Sequence, residues 1–97
     1  MAIREYALYR AEQIVEGKLP ARDGVKLLFH LCMDCNYPAD FMVWYNLDEG
    51  CDLIACGDEP WTFPGLTHDN IEQTIRKVAK DFIDSQRRNA HGPPLQL

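Results

Sequence analysis

Phe41-Met42-Val43-Trp44-Tyr45-Asn46-Leu47-Asp48-Glu49-Gly50-Cys51-Asp52-Leu53-Ile54-Ala55-Cys56 is the stretch whose reading decides the fold. Its aromatic and β-branched content suits a strand, and Asp48-Glu49-Gly50 has the composition of a hairpin turn leading into Cys51–Cys56. At helical spacing, Phe41, Trp44, Tyr45 and Leu47 instead gather on the inward side of a short helix. The helix is preferred, because helical patterns flank the run and an isolated hairpin is only marginally stable. The expected fold is all-α, a small antiparallel helical bundle of about four helices with a long irregular acidic segment before the last one. The alternative is α+β with a hairpin at 41–56.

Upstream, Ile3, Ala7, Ala11 and Ile14 recur at 4-4-3 spacing, widened by Leu8 and Val15, and predict a helix over 2–16. Gly17 suits the left-handed residue that closes such a helix, with Lys18 near its negative end. Pro20 suits the first turn of a second helix to about Cys35. Val25, Leu28, Cys32 and Cys35 share its inner face; Asp23, Lys26, His30 and Asp34 share the outer one. Asn36-Tyr37-Pro38 then breaks it. Downstream, Pro60, Pro64, Gly57 and Gly65 make Gly57 to His68 an irregular crossing pinned by Trp61, Phe63 and Leu66. Asp69-Asn70-Ile71-Glu72 has the shape of a capping box, and Ile71, Ile75, Val78 and Phe82 follow at helical spacing. The chain reads as one domain over 1–89, with a flexible tail over 90–97.

The charge is unevenly spread. Between Leu27 and Ile75 lie nine carboxylates and no Lys or Arg, although the whole chain carries only −5. This acid belt repels phosphates, which argues against direct nucleic-acid binding and for a basic protein partner. A plain solvated surface would also account for it. The start Met1-Ala2-Ile3-Arg4-Glu5 turns polar at once, so no signal peptide is expected, and no apolar run is long enough for a membrane span. The expected place is the cytoplasm, with the four Cys as thiols.

Cys32-Met33-Asp34-Cys35 invites a redox or zinc reading. Redox pairs of this kind sit at a helix N-terminus, where the dipole favours the thiolate; this one falls near a C-terminus. A core role for Cys32 and Cys35 explains their match to Val25 and Leu28. A zinc site would need Cys32, Cys35, Cys51 and Cys56 together, and the four-residue gap in the second pair is wider than usual. A Cys51–His68 pair has no supporting signature, and the carboxylates have no readable pocket for acid-base work. No enzyme is expected. The candidate partner-binding residues are Asp48, Glu49, Asp52, Asp58, Glu59 and Trp61, acids that steer and an aromatic that anchors. Trp44 reads equally as core or site.

The run Ala11-Glu12-Gln13-Ile14-Val15-Glu16-Gly17-Lys18-Leu19 closes a helix on glycine. With the aromatic run ending in Asp48, the acidic crossing and the last helix introduced by Leu66-Thr67-His68-Asp69, it resembles small helical bacteriocin immunity proteins of the colicin D immunity type. The layout spans most of residues 5 to 85, and the four Cys have no part in it. The resemblance implies an antiparallel bundle whose acidic surface, with Trp61 as anchor, occupies the basic cleft of a toxin nuclease domain. Inhibition would be steric and electrostatic, with no cofactor.

Overall fold

Four helices form where apolar residues recur at helical spacing: α1 (Ile3–Glu16), α2 (Ala21–Asp34), α3 (Met42–Ala55) and α4 (Ile71–His91). A 3-10 turn, Ala39–Phe41, leads into α3. The structure is a computed structural model that describes residues 3–91, with side chains through Arg88. Among these residues there is no strand, so the hairpin alternative at 41–56 is excluded.

The physical reason lies in what buries α3. Trp44, Leu47, Asp48 and Cys51 fall at i, i+3, i+4 and i+7, one helical stripe, and all are buried. Gly50, which has the look of a turn residue, lies inside the helix. A Cβ there would stand 3.1 Å from the Phe63 Cβ and 3.2 Å from the Leu66 Cδ2. Glycine therefore makes room for the crossing segment. Tyr45 turns sideways toward α2, where its ring meets Phe29, and is only half-buried.

Three of the helix ends close alike. Lys18 N–H donates to the Gln13 carbonyl at 2.9 Å and Gly17 N–H to Ile14 at 3.1 Å, the two bonds of a Schellman motif. Tyr37 and Asn36 make the same pair to Cys32 and Met33 after α2, and Asp58 and Gly57 to Leu53 and Ile54 after α3. Each closure has a left-handed residue at its centre: Gly17 at φ 78°, Asn36 at 64° and Gly57 at 82°. The start of α4 differs from the expected Asp69–Glu72 box. Thr67 and Asn70 form it instead: Thr67 N–H donates to Asn70 Oδ1 at 2.7 Å, and Asn70 N–H to Thr67 Oγ1 at 3.2 Å. Asn70 also donates to the Gly65 carbonyl at 3.0 Å, which leaves Asp69 in solvent. Helix α4 runs through His91, so Ala90 and His91, expected in a flexible tail, are helical; residues 92–97 of that expected tail lie outside those described.

Two helix pairs dominate the packing, α1 on α4 and α2 on α3. Ala7, Ala11 and Ala79, all fully buried, put small side chains in the first interface. Trp44 lies at the centre with no exposed surface, and meets the Phe82 ring edge-on at 5.4 Å and 73°. Phe82 in turn meets Phe41 at 5.6 Å. None of the helices among the described residues is long and apolar enough to cross a membrane.

A polar clasp ties three elements beside this core. Gln86, buried on α4, donates to Asp40 Oδ2 at 2.7 Å and accepts from Arg4 Nη1 at 2.9 Å. Arg4 closes the triangle with an ion pair to Asp40 and lies over the Phe41 ring at 5.5 Å. The Arg4 guanidinium, with help from Gln86, holds the Asp40 carboxyl below its ordinary pKa. A depressed folded-state pKa contributes stability that is present above the unfolded value near 4 and lost as pH falls through the folded one. Arg4 is more than half exposed, so solvent screens the pair. Asp40→Asn is expected to cost about 1 kcal/mol at neutral pH and to flatten the acid limb of a stability-against-pH curve followed by circular dichroism. Parallel acid limbs for the two proteins would show that the clasp contributes nothing.

Candidate functional site

The acid belt divides when the chain folds. Arg22 and Lys26, just before the belt begins, stand one turn apart on α2 and face Asp48 and Asp52, one turn apart on α3. Lys26 Nζ lies 2.8 Å from Asp48 Oδ1, and Arg22 Nη2 lies 3.5 Å from Asp52 Oδ1. Arg22 and Lys26 also offset the cost of placing Asp52 in the last turn of α3, where the helix dipole is unfavourable to an acid. Asp48 is only 3% exposed, so it is withdrawn from the partner-binding surface expected of it. Its Oδ1 meets the ammonium off the line of a regular hydrogen bond and has no other donor. The Asp48 carboxylate in turn holds the Lys26 pKa above its ordinary value. Asp52 is exposed but already paired.

Glu49, half-buried, stands one turn from Tyr45, and its charge pushes the Tyr45 phenol pKa upward. Asp58 and Glu59 are the unneutralised part of the belt: both are exposed, and neither makes an ion pair with a described residue. Two residues on, Trp61 is 74% exposed. The reading of Trp61 as a surface residue and the core reading of Trp44 both match these positions.

The Asp58-to-Trp61 turn is held at both ends. Asp58 N–H donates to the Leu53 carbonyl at 2.8 Å in the closure of α3. Beyond Trp61, Thr62 Oγ1 donates to the Asn46 carbonyl at 3.0 Å, Phe63 packs on the core and Leu66 is buried in it. Within the turn, Trp61 N–H donates to the Glu59 carbonyl at 2.9 Å. A ring left in water on an anchored backbone can dock with little ordering cost. An open groove of about 520 Å³ starts at the next residue, lined by Met42, Val43, Asn46, Thr62, Phe63 and Pro64. Sequence reasoning missed it. The signal was there: Val43 and Asn46 share the side of α3 on which Gly50 sits, and a glycine on a helix face marks something lying against it.

The cysteines do not assemble. Cys32 and Cys51 are enclosed in the core, Cys35 is half-buried and Cys56 is exposed at the end of α3. Among the described residues no three or more His, Cys, Asp or Glu gather in a way that would hold a metal, so the Cys32, Cys35, Cys51 and Cys56 zinc set is not brought together. Burial pushes the Cys32 and Cys51 thiols up, away from thiolate chemistry. Cys51 is buried while the His68 side chain is 88% exposed, which separates that pair as well.

Fold and site together define a small helical bundle presenting a fixed acidic and aromatic turn beside an apolar groove. No family model, curated protein or solved structure matches the chain.

Proposed function

We propose that this chain is an acidic protein-interaction module whose turn at Asp58, Glu59 and Trp61 engages a basic protein partner. In its specific form the proposal is an immunity protein that binds a basic nuclease toxin domain and masks its nucleic-acid-binding cleft, acting in the cytoplasm. The observation that carries the reading is Trp61. A tryptophan 74% in water on a pinned backbone has no role in the core, and tryptophan is the residue most enriched among the anchors of interfaces. Asp58 and Glu59 supply the unpaired charge that a cationic cleft attracts. The Met42–Phe63 groove offers apolar area next to that anchor. Glu49 and Asp52 add secondary charge on α3, Asp52 already paired to α2, while Asp48 has an internal role. The function needs no chemistry by this chain.

The direct test mixes the purified protein with the product of the gene next to its own and follows nuclease activity. Inhibition is expected, and Trp61→Ala is expected to weaken it by about 30-fold or more with an unchanged unfolding midpoint. A neighbouring product with no nuclease activity, or full inhibition by Trp61→Ala, would contradict the specific form and the anchor respectively.

A further inference from the structure

Three rings meet on the outer side of α2 and α3, away from the Trp44 core. Phe29 and Tyr45 lie 5.5 Å apart at 45°, and Tyr37 meets Tyr45 edge-on at 5.8 Å and 77°. Phe29 and Tyr45 are half-buried, and Tyr37 is 47% exposed. The cluster stands at the edge of the core, with Tyr45 packed against it and Tyr37 outermost.

Its backbone is unusual. The closure of α2 requires one left-handed residue, supplied by Asn36, but Tyr37 is left-handed too, at φ 57°. In the two matching closures the following residues, Lys18 and Asp58, have no positive φ. For a bulky residue this conformation is an outlier, and such strain concentrates at binding sites. What it achieves here is to set the Tyr37 ring against Tyr45.

The cluster already holds one cation. Lys26 Nζ lies 5.4 Å from the centre of the Phe29 ring. Glu49 stands one turn from Tyr45 and places a carboxylate at the edge of the cluster. Ring faces beside a carboxylate recognise organic cations, and a planar guanidinium stacks on rings better than a hydrated ammonium does.

We propose that Phe29, Tyr37 and Tyr45, with Glu49 at their edge, seat an arginine side chain of the partner. This deepens the proposed function and rests on it only for the partner's positive charge. The test titrates the full chain with a blocked tri-arginine peptide at low salt and follows ring resonances by NMR, with tri-lysine as the comparison. Tri-arginine is expected to shift Phe29, Tyr37 and Tyr45, to do so equally in Trp61→Ala, and to bind more tightly than tri-lysine. Tyr37→Ala, and separately Glu49→Gln, should each weaken it by about 2- to 10-fold with the fold unchanged by circular dichroism. Shifts confined to Trp61 and its neighbours would overturn the seat while leaving the Trp61 anchor standing. Equal binding of tri-lysine, or no shift at all, would overturn it too, whatever the nuclease assay shows.

Discussion

Trp44→Ala is expected to remove about 3–5 kcal/mol of stability, the largest loss from any single substitution considered for this chain. The indole has no exposed surface and packs edge-on against Phe82, which also supports Phe41. Truncation would therefore open a cavity where α3 and α4 meet the 3-10 turn. Domains of this size have a total of about 5–15 kcal/mol, so the midpoint of thermal unfolding should fall by on the order of 20 °C. Trp44→Phe should cost much less, because the indole N–H has no hydrogen-bond partner to lose. Urea unfolding followed by circular dichroism reads both. A loss below about 1 kcal/mol for the alanine variant would contradict a core role for Trp44.

Lys26→Met is expected to cost about 1–3 kcal/mol. The lysine itself is partly in water; what is stranded is Asp48, whose carboxylate is 3% exposed and has no other cation as near. Replacing both partners with apolar residues should recover much of the loss, since the pair's own desolvation cost then disappears as well. The pH dependence has a definite sign. The Lys26 pKa is raised in the folded state by Asp48, so its contribution is complete below the unfolded value near 10.4 and is lost as pH rises through the folded value. The wild type should show this alkaline loss and Lys26→Met should not. Strictly additive effects of Lys26→Met and Asp48→Asn in a double-mutant cycle would show that the two residues do not act as a pair.

How much of this was legible in the sequence depends on the range of the interaction involved. The stripes are local periodicities: Ala7, Ala11, Ile14, Val25, Leu28, Cys32, Ile75 and Phe82 are buried as their spacing implies, whereas Ile3, at the start of α1, is 47% exposed and Cys35, Ile71 and Val78 are half-buried. Gly17 was readable as a helix closure, and Gly57 carries the same signal after α3. It is obscured because the inward set Phe41, Trp44, Tyr45 and Leu47 stops ten residues short of it and the prolines after it read as an irregular crossing. Gly50 could not be read locally, since the side chains that require a glycine there, Phe63 and Leu66, come from the far side of the crossing segment. The acid belt misled for a related reason. A charge run is linear, whereas its neutralisation comes from Arg22 and Lys26 across a helix interface. Asp48 thus reads as surface charge in the sequence yet is buried, while Trp61, between prolines on a crossing segment, reads as exposed and is. The Arg4–Asp40–Gln86 clasp spans nearly the whole chain and had no sequence signal.

The central claim is that Asp58 and Glu59 work outward while Asp48 works inward. The association rate with the proposed nuclease partner, measured by stopped flow at low and high salt, tests it most directly. For the variant carrying Asp58→Asn and Glu59→Gln, the rate at low salt should fall by about tenfold, its salt dependence should weaken, and the unfolding midpoint should stay where it is. An unchanged rate, or a midpoint that falls with the rate, would contradict the account and make these two acids part of the structure.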